Sequence, residues 1–285
     1  MRKARSKPCV KRASWLLTAP QPWARPFRKP STKAKHTEGR HVVLVSHDHK
    51  FIFLKTRKVA GTSIEMFLQP MCSRSTPVDS VVQEKTRAMQ DDAGIVGARL
   101  IPDADRNALD AMWYNHMPVR QIYDQLGPEV WEDYTILTAL RNPYDRMVSF
   151  FFWRRTRQGL PKLAEEEIKP AFRKFVFGTR WFDDLDVTHL NGSFAADRVI
   201  HYETLTDDLA QLSGDLDFPE RTTDMPFSKV TSGLREGRAV ADFFDTDTAQ
   251  AVQDKLAWMF EYGGYNSSLT DLYPNKTTPS RLSLA

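Results

Sequence analysis

Short apolar runs recur along the chain, and each is bounded by polar or turn-forming residues. The runs are Val42–Val45, Phe51–Leu54, Tyr134–Leu140 and Val199–Tyr202. Runs of four to seven mostly apolar residues between turn signals are typical of buried strands. The sequence therefore predicts four strands, of which Phe51–Leu54 is expected to be buried on both faces.

Helical segments are predicted after three of these strands. They are Thr62–Leu68, which Pro70 must end, a helix from Pro143 to about Arg157, and Leu205–Leu212. Near the carboxyl end, Ala249, Val252, Leu256 and Met259 share one helical face. Strands that alternate with helices predict an α/β fold with a mostly parallel central sheet flanked by helices. Residues 70–112 and 214–240 are expected to be irregular.

Charge divides the chain. Residues 1–40 contain 12 Lys or Arg, one acidic residue and five prolines, whereas the other 245 residues contain 28 Lys or Arg and 35 Asp or Glu. We therefore predict a basic, Pro-rich, disordered arm over 1–40, one globular domain over 41–273 and a tail over 274–285. Three interpretations of the arm remain open: a solvated tail, a transit-type targeting segment and a polyanion-binding arm.

Several classes of protein are excluded by composition. No apolar run approaches the roughly 20 residues of a membrane helix, and two cysteines cannot form a disulfide framework. We expect a soluble or cytoplasmic protein, with organelle targeting by the arm as the alternative. The polar turn His47–His49 does not indicate a metal site, and the arm alone does not indicate binding of nucleic acid.

Two segments have the pattern of anion-binding sites. In the first, the strand Phe51–Leu54 feeds a loop that opens into a helix at Gly61, where free N–H groups and the helix dipole favour an anion. In the second, Arg141 ends a strand and Ser149 lies early in the next helix. Both loops follow carboxyl ends of strands, where α/β sheets bind ligands. Two such sites suggest a ligand with two separated phosphate-like groups.

Four segments resemble sulfotransferases that use 3′-phosphoadenosine 5′-phosphosulfate (PAPS). Lys58–Ser63 (KVAGTS) resembles their 5′-phosphosulfate loop, and Arg141–Ser149 resembles their 3′-phosphate motif. Ile200–Asp208 is similar to the segment whose Tyr lies near the adenine. Arg235–Phe244 resembles a late 3′-phosphate element, although Glu236 replaces its Lys. The resemblance covers about 42–265 and is strongest to the carbohydrate-type, family 2-like branch, which implies a P-loop-like three-layer fold.

The resemblance also implies roles for individual residues. PAPS would be the donor, and no metal would be required because fixed cations neutralise the charge. Lys58 would act on the leaving group, and Tyr202 would lie near the adenine. The implied phosphate-binding residues are Ala60, Gly61, Thr62 and Ser63 for the 5′ group, Arg141, Ser149 and Arg235 for the 3′ group, and Arg57 as a modest contributor.

A hydroxyl acceptor needs a general base. His116 lies between the two phosphate motifs, in the interval where some related sulfotransferases place a catalytic His, and its chemistry suits the role. Glu84 is the alternative base, because other branches use a Glu soon after the first helix. The implied acceptor is a hydroxyl, less favourably an amine, of a glycan or small molecule.

Two other functions stay open from the sequence. One is a P-loop-type nucleotide-dependent phosphotransferase, which the missing Walker A sequence and missing acidic strand end for Mg²⁺ disfavour. The other is a non-catalytic protein that binds polyanions through the arm and both loops.

Overall fold

The computed structural model describes residues 43–80, 82–114, 116–220 and 235–275. The strands are β1 Leu44–Ser46, β2 Phe51–Leu54, β3 Met89–Asp91, β4 Gly94–Val96, β5 Thr135–Leu140, β6 His189–Leu190, β7 Ser193–Phe194 and β8 Arg198–His201. The helices are α1 Gly61–Leu68, α2 Ala108–Met112, α3 Val119–Asp133, α4 Pro143–Arg157, α5 Glu165–Gly178, α6 Leu185–Thr188, α7 Leu205–Asp215, α8 Thr246–Lys255 and α9 Ala257–Tyr262.

Six strands form the central sheet, in the order β3-β4-β1-β2-β5-β8. β2, β5 and β8 are parallel, whereas β1 pairs antiparallel with β2 and β4, and β3 with β4. β6 and β7 form a separate antiparallel pair. The α/β class is confirmed. The parallel half of this mixed sheet is the half whose carboxyl ends carry the two phosphate-like motifs.

Helices cover both faces of the sheet, as the three-layer prediction requires. Phe51 and Phe53 of β2 pack on one face, with residues of α1 and α7. Ile52 and Leu54 point to the opposite face, where they pack with residues of α3, α4, α5 and α8. Because successive strand residues point to opposite faces, the wholly apolar sequence of β2 follows from burial on both sides.

The boundaries of α4 follow from local chemistry. Pro143 occupies its first turn, where a missing N–H costs nothing, and the side chain of Asn142 accepts a hydrogen bond of 3.0 Å from the Tyr144 amide. These caps fix the direction of the helix that carries Ser149. The predicted end at Arg157 is confirmed.

Part of the 70–112 segment is regular, so that prediction was wrong for α2, residues 108–112, and for residues 89–96. β3 and β4 form a hairpin there, and Gly94 makes it fit, because a Cβ on Gly94 would lie 2.0 Å from the Val45 carbonyl oxygen. β3 consists of Met-Gln-Asp, and so it lacks the apolar run that identifies a buried strand. In the other segment, α7 extends to Asp215, and residues 221–234 lie outside the described residues.

The shared face near the carboxyl end belongs to two helices. Ala249 and Val252 of α8, Leu256 at the break and Met259 of α9 are all buried. Within the described residues, no helix is both long and apolar enough to cross a membrane.

Candidate active site

The two phosphate-like motifs meet at one edge of the sheet. β2 and β5 are parallel neighbours with Leu54 opposite Thr138, so the loops after them leave the sheet side by side. The Thr138 hydroxyl donates to the Leu54 carbonyl at 2.7 Å, which ties the strand ends together. Arg141 Nη1 donates to the Lys58 carbonyl at 3.4 Å, so the motifs are in direct contact.

The first loop has an unusual backbone. Lys58 and Ala60 have left-handed φ angles of 69° and 59°, although neither is glycine. Ala60 precedes α1, and its carbonyl accepts the Ser63 amide at 2.9 Å. The loop thus leads directly into the first turn of α1, which is the arrangement of anion-binding helix N-termini. Residues held in rare conformations cluster at functional sites.

A buried ion cluster lies beneath this loop. Lys55 Nζ is 2.5 Å from Glu65 Oε2, and Arg99 Nη1 is 3.8 Å from the same oxygen. A Cβ on Gly61 would lie 2.4 Å from Lys55 Cε, so the buried lysine leaves no room for a side chain there. Lys55 therefore supports the loop from below, and a side chain in place of Gly61 would displace it.

Lys58 lies on the other side of the loop. Its ammonium is 5.1 Å from the ring centroid of Trp153 on α4, and the residue is half-buried. A cation over the face of an indole ring is held there by the ring quadrupole. This contact holds the side chain of the predicted catalytic lysine against α4, the helix that carries the second motif.

The second cluster brings together the arginines of the 3′-phosphate prediction. Arg141 Nε is 2.6 Å from Asp145 Oδ2, and Arg235 Nη1 is 2.5 Å from Asp145 Oδ1. Arg235 lies 90 residues from Asp145 in the chain, so only the fold unites them. Ser149 is buried one turn beyond Asp145, on the same helical face. Among the described residues, Arg235 Nε has no hydrogen-bond partner.

Tyr202 completes this cluster. Its amide donates to the Leu140 carbonyl at 2.9 Å, which extends the β5–β8 pairing past the strand end. Its ring lies 3.8 Å from the Arg141 guanidinium carbon. The stacked ring orients the planar fork of Arg141 without using its N–H donors.

Asp184 is the centre of a third cluster. Its carboxylate accepts hydrogen bonds from the Arg57 amide at 3.0 Å and from the guanidinium groups of Arg57 and Arg146. Arg146 also donates to the carbonyls of Arg57 at 2.9 Å and Phe182 at 3.0 Å. Burial alone would raise the pKa of Asp184, but the charges of Arg146 and Arg57 hold this pKa below its ordinary value. The cluster joins both motifs to a segment outside them.

His116 adjoins this cluster. It is 6% exposed, with a left-handed φ of 46°, and its Nδ1 is 2.9 Å from the Lys55 carbonyl. A carbonyl only accepts, so Nδ1 must donate, and the neutral ring keeps its lone pair on Nε2. Burial, and then the charge of Arg57, hold the pKa of His116 well below its ordinary value, although Asp184 opposes them. His116 is therefore neutral near pH 7, as a general base must be.

The two candidate bases have different surroundings. Glu84 is exposed, and its carbonyl accepts from Arg99 Nε at 2.5 Å. Through Arg99 it connects to the ion cluster below the loop. His116 instead binds directly to Lys55, three residues before Lys58. The geometry thus favours His116, and both assignments stay predictions.

Arg57 is placed differently from the other predicted donor-binding residues. Its guanidinium binds Asp184 and lies 4.5 Å from the ring centroid of Phe182. These contacts hold the start of the loop. Direct binding of the donor by Arg57 stays a prediction.

Sequence reasoning missed three charged residues of the site. Asp145 and Arg146 lie inside the quoted motif, and the four-residue spacing of Arg141, Asp145 and Ser149 was the available signal. No sequence signal pointed to Asp184, because it lies 127 residues from Arg57 in the chain. In the described part of the chain, no group of three or more His, Cys, Asp or Glu side chains could hold a metal ion.

Comparison with known proteins agrees with the motif analysis. A family model described as "Sulfotransferase family" matches residues 41–262. No curated protein and no solved structure matches the chain. The matched range includes the first loop, the second motif, Tyr202, Asp184 and Arg235. The chain therefore belongs to the sulfotransferase family, and it is a sulfotransferase.

Proposed function

We propose that this sulfotransferase moves the sulfuryl group of PAPS to a hydroxyl group of its acceptor. The observation that carries the proposal is the contact between the two anion-binding motifs. The first-turn amides of α1 and the Arg141–Arg235 pair lie at one sheet edge, and Arg141 reaches the Lys58 carbonyl. PAPS has an anionic group at each end of its ribose, so two neighbouring anion sites fit it.

Different residues would bind the different groups of PAPS. Arg141 and Arg235, with the Ser149 hydroxyl, would hold the 3′-phosphate, which takes the place that Asp145 now occupies between the two guanidinium groups. The helix N-terminus from Gly61, with the hydroxyls of Thr62 and Ser63, would hold the 5′ group. Tyr202, stacked on Arg141, would contact the adenine.

Sulfuryl transfer is an in-line displacement in which charge develops on the leaving oxygen. The acceptor oxygen forms a bond to sulfur, and the bond from sulfur to the bridging oxygen breaks with its electron pair on the 5′-phosphate. Lys58 would neutralise that charge. The proton of the acceptor hydroxyl would pass to Nε2 of His116, whose Nδ1–H is fixed by the Lys55 carbonyl.

Calorimetric binding of 3′-phosphoadenosine 5′-phosphate (PAP) tests the donor assignment. We expect micromolar or tighter binding to wild type. Arg141→Ala should weaken binding roughly 10- to 150-fold, since hydrogen bonds to charged groups contribute about 1.5–3 kcal/mol.

Arg198→Ala is the matched control, because it removes the same charge from the opposite end of β8, where Arg198 pairs with Asp215 on the surface. This variant should bind PAP like wild type. Binding of ATP with Mg²⁺ in preference to PAP, or no PAP binding at all, would contradict the proposal.

A further inference from the structure

A cavity of about 820 Å³ is lined by Arg57, the residue just before the Lys58–Ser63 motif, and by no described residue of the four motifs. It is bounded by the end of α5, the segment from Thr179 to Asp186 and the end of α8. Its volume lies within the range of small-molecule sites, roughly 300–1,000 Å³. Arg141, Asp145 and Arg235 are not among its lining residues. The cavity is therefore separate from the 3′-phosphate cluster.

The cavity nevertheless adjoins the transfer site. Arg57, which directly precedes Lys58, lines it, and so does Asp184. His116 Nδ1 is 2.9 Å from the carbonyl of Lys55, two residues before Arg57, which places the candidate base near the same wall. A two-substrate transfer needs a second pocket next to the lysine that acts on the leaving group. This cavity reaches Arg57, the residue next to that lysine in the chain.

Aromatic side chains give the cavity fixed apolar surface. Trp181 Nε1 donates to the Val176 carbonyl at 2.8 Å, which fixes the indole. The Phe182 ring packs 5.3 Å from the ring of Phe150 and against Arg57. Trp181 and Phe182 are both half-buried. Rigid aromatic walls favour a ligand that contains a ring.

The charges in the wall are balanced. Asp183 Oδ2 is 3.4 Å from Lys255 Nζ, and Arg57 is bound by Asp184. Three arginine or lysine and three aspartate residues line the cavity, so its formal charge is zero. An anionic acceptor would gain no net attraction from a wall whose formal charge is zero, whereas hydroxyl groups can donate to the carboxylate oxygens.

We infer that this cavity is the acceptor site, and that the acceptor is a small, uncharged ring compound with hydroxyl groups. The inference rests on the proposed function, whose donor site lies next to the cavity. Trp181 and Phe182 contact the ring. Asp183 and Asp186 accept hydrogen bonds from its hydroxyl groups. The reacting hydroxyl faces Lys58 and His116 past Arg57.

A matched pair of probes tests the charge assignment. Phenyl β-glucoside and phenyl β-glucuronide differ at C6, which is a hydroxymethyl group in the glucoside and a carboxylate in the glucuronide, and they share the hydroxyl groups at C2, C3 and C4. With PAPS as donor, we expect kcat/KM to be at least about tenfold higher for the glucoside. Equal use of both, preference for the glucuronide, or transfer to neither by a chain that binds PAP would overturn the inference.

A variant of the wall tests the location. Trp181→Ala should raise KM for the glucoside at least about tenfold and leave the Kd of PAP unchanged. Phe177→Ala is the control, because Phe177 is 55% exposed on α5 and does not line the cavity. An unchanged KM in the Trp181 variant would place the acceptor elsewhere.

Saturation-transfer NMR with the glucoside alone separates this inference from the proposed function. Contact of the glucoside with wild type but not with Trp181→Ala, in a chain that fails to bind PAP, would support the cavity and refute the donor. No contact with wild type, when PAP binds, would overturn the cavity assignment alone.

Discussion

The Asp184 and Asp145 clusters share a plan, since each is a carboxylate bound by two arginines at the edge of the sheet. They differ in what the arginines do next. Arg146 is 3% exposed and directs its other donors to the carbonyls of Arg57 and Phe182. Arg141 stacks on Tyr202, and Arg235 is half-buried with an unused Nε within the described structure.

This difference separates support from binding. In the Asp184 cluster the arginine N–H groups donate hydrogen bonds to oxygen atoms of the protein, so the cluster holds the loop before Lys58 in place. In the Asp145 cluster the bonds to backbone carbonyls are long, 3.4 Å from Arg141 to Lys58 and 3.5 Å from Arg235 to Asp145, and an incoming phosphate can share or replace the carboxylate. The same three charges therefore form a scaffold where short hydrogen bonds to backbone carbonyls hold an arginine, and we expect a ligand site where those bonds are long.

The largest effect is expected from Asp184→Asn. Removal of the carboxylate leaves Arg146 buried and uncompensated, which costs roughly 3–5 kcal/mol of unfolding free energy. Urea unfolding measures the loss. Asp183→Asn is the matched control, because Asp183 pairs with Lys255 at the surface and should cost less than about 1 kcal/mol. Equal losses in both variants would contradict the scaffold assignment.

The same variant should also change how the stability of the protein depends on pH in acid. The pKa of Asp184 is lowered in the folded chain, so its contribution to stability is complete above the unfolded value near pH 3.9 and is lost as pH falls further. Asp184→Asn should therefore lose less stability between about pH 4 and pH 2 than wild type does.

Asp145→Asn should change ligand binding more than stability. Arg141 keeps its Tyr202 contact and Arg235 can reach solvent, so we expect a loss of roughly 1–2 kcal/mol. PAP should bind severalfold more tightly, because a negative charge next to the 3′-phosphate is removed. Calorimetry beside Arg141→Ala measures this. Weakening as large as that in Arg141→Ala would mean that Asp145 is needed to orient the arginine.

The contrast also marks the limit of sequence reasoning. Arg141, Lys58 and Gly61 could be found because strand, loop and helix are contiguous, and their spacing is set by local geometry. The start of α4 followed from Asn142 and Pro143. Asp184 could not be found, since burial and hydrogen bonds from distant residues make it important, and no local pattern encodes either.

His116 shows an intermediate case. Its position between the motifs suggested a base, but its charge state depends on Arg57, Asp184 and Lys55, which the fold brings together. The contact of Trp153 with Lys58 also needed the structure, because it joins the first loop to α4.

A smaller effect tests whether the Asp184 cluster also influences chemistry. Histidine-ring NMR should place the pKa of His116 below 6.5, because burial and the charge of Arg57 lower it. Arg57→Gln should raise this pKa, since one cation is removed. His116→Gln identifies the signal. A pKa of His116 at or above 6.5 in wild type, or a lower pKa in the Arg57 variant than in wild type, would contradict this. The Asp184 cluster would then only hold the loop in place, without influencing the chemistry.

The smallest effect is expected at Asp245, a carboxylate that pairs with one arginine on the surface. Asp245 pairs with Arg173 at 2.7 Å, and its carboxylate also accepts the Thr248 amide at 2.8 Å as the cap of α8. That amide and Arg173 lower the pKa of Asp245 to about 2. Its contribution to stability is therefore complete above about pH 4 and is lost as pH falls to about 2.

Asp245→Asn keeps a good capping residue and removes only the charge, so the expected loss is below about 1 kcal/mol. Salt separates the two kinds of cluster, because exposed pairs are screened and buried pairs are not. Urea unfolding in 1 M NaCl should erase the Asp245 effect and preserve the Asp184 effect. If the Asp245 loss persisted in salt at the size of the Asp184 loss, burial would not be what separates an arginine–carboxylate scaffold from an arginine–carboxylate surface.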